Sequence, residues 1–240
     1  MKFISNTNDI RHHLGIKNEF YPASITNITF DSRKVKKSSF FICLKGENSD
    51  GNEFIDEALI KGASLILSNR KKLAENNKKI IYTPNTIKAL RKISESIINS
   101  SLNNRIGITG SNGKTTSKEL INSVLKTEFV TFCTRGNLNN HIGVPLSLLE
   151  ISNESEFAII EMGASKPGDI KELCEIAEPT HGTITNIGSA HMEGFKTFEG
   201  VYKTKMELFD FINETNGIFT FNENDSVFDK LETVSYTHLT

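Results

Sequence analysis

Short apolar runs bounded by glycine, asparagine or lysine recur along the chain, separated by stretches with helical spacing. In the first third, runs at 24–30, 40–44, 64–67 and 79–82 read as strands. Residues 52–62 read as a short helix, capped by Asn52 and closed by Gly62. This predicts a small α/β module over residues 1–83. Pro84, at a first helical position, then opens a helix with Ile87, Leu90, Ile93, Ile97 and Ile98 on one side. From there strands at 105–109, 129–133, 157–162, 182–187 and 217–221 alternate with helices at 117–125, 144–150, 167–177 and 198–213. Such alternation predicts a second domain over 84–233, a mostly parallel sheet with helices on both faces. The fold class is therefore α/β throughout.

Ligands on a parallel sheet gather at the carboxyl ends of its strands, so those ends are where chemistry is sought. The first end carries Gly110-Ser111-Asn112-Gly113-Lys114-Thr115-Thr116 ahead of a helix. Strand, glycine loop, Lys, Thr and helix form a phosphate-binding layout. Loop amides and the helix N-terminus cradle phosphate oxygens, Lys114 would reach the β/γ-phosphates, and the Thr115 hydroxyl would sit on Mg²⁺. The strict motif has a glycine where this chain has Ile108, so only the shorter Gly-x-x-Gly-Lys-Thr form survives. Further ends carry the asparagine-rich 134–141 loop, Glu161-Met162-Gly163-Ala164 and a 186–193 segment containing His191. Glu161 closes a buried-type strand, where a free carboxylate is costly unless it meets a cation, and a phosphate-bridging metal is the natural partner. In the first module, Asp31-Ser32-Arg33 and Lys45-Gly46 lie in polar loops; Arg33 and Lys45 could serve an anionic ligand, although their spacing alone does not require one.

Composition narrows the partners. A net charge of −1 gives no electrostatic case for nucleic acid or a membrane surface. The longest apolar runs are strand-sized, so no span is expected. The first eight residues are too polar for a secretory signal, and the three scattered cysteines suggest reduced core thiols. A cytoplasmic monomer is the expectation.

Several of these motifs, in this order, resemble the Mur ligases of peptidoglycan synthesis. The marks are Asp31-Ser32-Arg33, Leu44-Lys45-Gly46-Glu47 with Asp50-Gly51, the 107–116 loop, Gly136-Asn137-Leu138-Asn139-Asn140, Glu161-Met162-Gly163-Ala164 and 186–195. The shorter phosphate loop belongs to that family, so Ile108 is no defect. The resemblance is strongest to the branch that joins D-Ala-D-Ala to UDP-MurNAc-tripeptide. It implies that ATP phosphorylates the tripeptide carboxylate and that the dipeptide amine attacks the acyl phosphate. It implies Thr115 and Glu161 on one Mg²⁺ and His191 on a second, the latter shared with a carbamylated lysine. Spacing from His191 falls on Lys205, with Lys203 the neighbouring alternative. It further places Asn222 by the adenine, Asn137, Asn139 and Asn140 toward the peptidyl substrate, and Asp31, Ser32, Arg33, Lys45 and Gly46 in the UDP-sugar domain.

The family's third, C-terminal domain is missing from this reading, and residues 234–240 resemble nothing in the family. The expectation is a truncated chain with an extraneous tail, with nucleotide or UDP-sugar binding at best and turnover essentially absent. Two other readings compete: a sister ligase adding one amino acid or a polyglutamate tail, and a non-ligating nucleotide switch. The 136–140 loop favours the first reading over the sister ligase, and the switch leaves the first module unexplained.

Overall fold

The computed structural model describes residues 4–16, 22–46, 49–188, 192–195, 197–222 and 224–228. By contact the chain divides into two compact units, Met1–Ile97 and Ile98–Thr240.

The first unit runs α1 (Thr7–Leu14), β1 (Asn27–Thr29), β2 (Ser39–Ile42), α2 (Ile55–Ile60), β3 (Leu65–Ser68), α3 (Lys71–Asn76), β4 (Ile80–Tyr82) and the start of α4 (Thr86–Ser101). Its four strands form one sheet in chain order, every pairing parallel. Phe40, Phe41, Ile42, Leu65, Ile66 and Leu67 are all buried, as a parallel sheet covered on both faces requires. Phe41 and Ile66 pair in register and pack with Val35, Ile55, Ala58 and Ile80.

Hydrophobic periodicity gives no sign of α1 or α3. α1 is mostly polar and is held by its ends: Asn6 and Asp9 form a reciprocal capping box, and Gly15 closes the helix at φ 74°. His13 on this helix is half-buried, its Nδ1 lying 2.8 Å from the Ser96 hydroxyl.

The second unit runs β5 (Asn104–Thr109), α5 (Lys114–Leu125), β6 (Thr131–Cys133), α6 (Gly143–Leu148), β7 (Phe157–Glu161), α7 (Asp169–Ala177), β8 (His181–Ile184), α8 (Met192–Phe195), α9 (Phe198–Glu214) and β9 (Ile218–Thr220). Its sheet has the order β6-β7-β5-β8-β9, again wholly parallel. β5 therefore sits at the centre. From β5 the chain goes to the edge strand β6, returns to β7 beside β5, then crosses to the other side for β8 and β9. The carboxyl end of β5 is the switch point where such sheets open a crevice. Ile108, Ala158, Ile159 and Ile160 are fully buried, so the crevice has a rigid floor.

Candidate active site

The loop after β5 is shaped by two glycines. Gly110 has φ 148°, and a Cβ there would run into the Thr185 hydroxyl; Gly113 takes the left-handed conformation at φ 78° and caps α5. No side chain caps that helix, so its first N–H groups are left for an anion. The segment after β8 straps the loop down. The Ser111 and Asn112 amides donate to the carbonyl and side-chain oxygens of Asn186, both at 3.0 Å. The Thr185 hydroxyl donates to the Asn112 carbonyl at 2.6 Å, and the Ser111 hydroxyl donates to the Gly188 carbonyl at 3.0 Å.

Lys114 curls back over the loop, its Nζ donating to the Gly110 and Ser111 carbonyls at 2.7 and 3.2 Å. Burial lowers its pKa, and Glu161 partly offsets this. Glu161, at the end of β7, is 2% exposed. Each of its oxygens is held: Thr115 Oγ1 donates to Oε2 at 2.9 Å, and Asn139 Nδ2 donates to Oε1 at 2.8 Å. A hydroxyl and a carboxylate thus meet beside the phosphate loop, a pair of hard oxygen donors that fits a divalent cation. Lys118, one turn beyond Lys114, also reaches Glu161, with Nζ 3.7 Å from Oε2. Sequence reasoning passes over it, because a lysine between Ser117 and Glu119 in a helix carries no local sign of burial.

Beside this cluster lies a cleft of about 580 Å³, whose lining includes Lys114, Asn137, Asn139, Asn140, His141 and Lys205. Lys205 on α9 is only 3% exposed, while Lys203 is 74% exposed and pairs with Glu199 on the same helix. Burial first, and the Lys114 charge second, pull the Lys205 amine down to about 8. Asn140 lines the cleft but also has a local duty, since its Oδ1 accepts the Ile142 and Gly143 amides at 3.1 and 2.8 Å and so steadies the start of α6. Thr116 lies exposed in the first turn of α5. Asn222 is exposed just past β9, two strands from the phosphate loop, and its Oδ1 accepts the Asn224 amide. His191 lies outside the described residues, as do Lys196 and the tail from 229 onward.

In the first unit the polar loops leave the carboxyl ends of β1 and β2. Asp31 opens a short 3₁₀ turn, Ser32–Lys34, and Arg33 grips both Asp31 oxygens at 2.9 Å. That grip lowers the Asp31 pKa. Lys45 pairs through its backbone with Asp50, and the Gly46 amide donates to the Ser49 carbonyl at 2.9 Å. Asp50 in turn accepts from Asn52 and from Arg70 beyond β3.

Burial pushes Cys43 up to about 12, Cys133 to about 11 and Cys174 higher still, and all three are unpaired. Among the described residues no cluster of His, Cys, Asp and Glu could by itself hold a metal, and no helix is long and apolar enough to cross a membrane.

Comparison with known proteins places this geometry in a lineage. The chain matches the Mur ligase middle domain over residues 108–239 and the Mur ligase family catalytic domain over 24–101. The UDP-N-acetylmuramoyl-tripeptide–D-alanyl-D-alanine ligase of Bacillus subtilis is 37% identical over 191 residues, which is 79% of this chain and 42% of that protein. Among solved structures, MurF from Acinetobacter baumannii aligns with a TM-score of 0.79 at 30% identity, covering 92% of this chain and 50% of that one. MurF ligase from Thermotoga maritima in complex with ADP aligns at 0.76 and 37% identity, covering 85% and 47%. The chain thus spans about half the length of the relatives it matches. With its middle domain matched over more than half of its residues, the chain belongs to the Mur ligase family.

Proposed function

We propose that the protein containing this chain is an ATP-dependent ligase that joins D-Ala-D-Ala to the carboxylate of UDP-MurNAc-tripeptide, a step of peptidoglycan precursor synthesis. The observation that carries this reading is the meeting of Lys114, Thr115, Glu161 and Asn139 at the mouth of the cleft that Lys205 lines. Phosphate chemistry and acceptor binding can then share one space. The 37% identical ADP-bound relative supports the nucleotide half.

The α5 amides and Lys114 would hold the β- and γ-phosphates, Lys114 exchanging the Gly110 and Ser111 carbonyls for phosphate oxygens. Thr115 and Glu161 would hold Mg²⁺, which when bound neutralises charge on the transferred phosphoryl group. Asn137 and Asn139 would orient the tripeptide carboxylate for attack on the γ-phosphate. The dipeptide amine would then displace phosphate from the acyl phosphate, giving amide, ADP and inorganic phosphate. Little covalent work falls to the protein; placement and charge neutralisation supply the rate.

Lys205 fits the role of a carbamylated lysine. A neutral amine adds to CO₂ and releases a proton, and an amine titrating near 8 is neutral far more often than an ordinary lysine. The resulting carboxylate would lie in the cleft as a further metal ligand. In the first unit, Arg33 and Lys45 would meet the UDP-sugar.

The test is a phosphate-release assay on the full-length protein with ATP, Mg²⁺, UDP-MurNAc-tripeptide and D-Ala-D-Ala. Release that requires both acceptors, and falls about 10²–10³-fold in Lys114→Ala, is the expected result. Hydrolysis indifferent to the acceptors would mark a nucleotide switch instead, and a single amino acid replacing the dipeptide would mark a sister ligase.

A further inference from the structure

Lys118 is a charged side chain with 0% exposure, placed in the interior of the second unit. Taking an ammonium out of water is costly, and an apolar side chain of equal length would fill the same volume without that cost. What surrounds its Nζ is therefore informative. It donates to the Thr134 carbonyl at 2.6 Å and lies 3.5 Å from the Gly136 carbonyl, the two groups that lead into the 137–140 turn. It also stands 3.7 Å from Glu161 Oε2 and 3.2 Å from Glu119 Oε1. One amine on the phosphate-loop helix thus touches the turn that lines the cleft and the carboxylate at the end of β7. A plain core filler would need neither contact.

We propose that Lys118 is a positioning residue of the ligation, tying nucleotide binding to acceptor binding through α5. The inference rests on the ligase reading above and deepens it. With no cation present, Lys118 offsets and aims the Glu161 carboxylate. The same charge opposes an arriving Mg²⁺, so it sets how much metal the nucleotide site demands. Through Thr134 and Gly136 it fixes the turn carrying Asn137 and Asn139, so a shift of α5 on phosphate binding moves that turn as well.

Lys118→Met should then change two affinities in opposite directions. Removing the competing charge lowers the Mg²⁺ concentration needed for half-maximal ADP binding several-fold. Releasing the turn weakens UDP-MurNAc-tripeptide about tenfold, the scale of a hydrogen bond to a charged group. General damage would weaken both. Lys118→Gln, which can still donate to Thr134, should keep the metal effect and recover part of the peptide affinity.

Both ligands are titrated calorimetrically into the full-length protein and its variants. A wild type that binds neither ligand overturns the ligase reading and this inference with it. A wild type that binds both, with Lys118→Met weakening both or changing neither, overturns the inference alone. Should neither variant fold, amide hydrogen exchange of the wild type decides. ADP with Mg²⁺ alone should slow exchange at 137–140, and exchange unchanged by bound nucleotide would end the proposal.

Discussion

The two units have sheets of the same kind, all-parallel, with polar loops at the carboxyl edge, yet they treat charge in opposite ways. In the first unit the edge cations sit in water and pair with close, partly covered carboxylates. Arg33, 86% exposed, grips Asp31 two residues away, and Arg70 reaches Asp50 across one strand connection. In the second unit Lys118, Glu161 and Lys205 are all buried, and the charges meet from separate elements. Exposed pairs are weak and easily exchanged for a ligand. Buried ones hold a fixed geometry at a cost in stability. A mobile grip on a substrate handle suits the first edge, and a preset phosphate and metal site suits the second.

The sharpest way to break this contrast is to remove one buried partner. Glu161→Ala removes the buried carboxylate partner of Lys118 and leaves it only the exposed Glu119, so it should lose about 3 kcal/mol of stability in urea unfolding. Glu161→Gln with Lys118→Met removes both charges and should recover most of that loss. A single variant as stable as wild type would mean that the Lys118–Glu161 contact carries no structural weight.

This contrast also separates what could be read from the amino acids from what could not. The strands and long helices were legible because apolar runs and 3.6-residue spacing are local properties, and the second unit's parallel sheet follows from their alternation; that the first unit's sheet is also parallel was not read from it. The glycine loop before α5 was legible because the backbone conformation there demands Gly110 and Gly113, a need encoded within a few residues. Lys118 was not. Its neighbours Ser117 and Glu119 are polar, and its buried partners Thr134 and Glu161 come from strand ends sixteen residues and more further along the chain. α1 was hidden for a different reason: its stability lies in the Asn6–Asp9 box and Gly15 rather than in an apolar stripe. Thr185, which fills the space a Gly110 Cβ would need, is equally a tertiary fact.

Lys205 tests the second edge more gently. Burial lowers its amine from 10.5 to about 8, so the native state carries a penalty for the ammonium at neutral pH. The penalty is present in full below pH 8 and is relieved as pH rises from 8 toward 10.5, where the unfolded chain still binds the proton. Lys205→Met should therefore stabilise the protein at pH 7 by about 2 kcal/mol, and the gain should shrink above pH 8. In ¹³C-bicarbonate the wild type should show a carbamate resonance that Lys205→Met loses and Lys203→Met keeps. A resonance that vanishes with Lys203 instead would move the modification to the exposed face of α9.

The smallest effect belongs to the first edge, and it sets the baseline for the others. Asp31→Asn keeps the acceptor oxygen for the Arg33 amide, so the turn stays capped while the charge is lost. Arg33 holds the Asp31 pKa below its ordinary 3.8, so the pair stabilises the folded state above that value and the benefit disappears as pH falls through the lowered pKa. Because Arg33 is almost fully in water, the difference between wild type and Asp31→Asn should stay under about 1 kcal/mol at pH 7. It should shrink in 1 M salt, where screening reaches within about 3 Å, and fade as pH falls below 3.8 through the lowered pKa. A loss at pH 7 as large as that of Glu161→Ala, unmoved by salt, would show that the first edge is as rigidly built as the second, and that exposure does not separate the two.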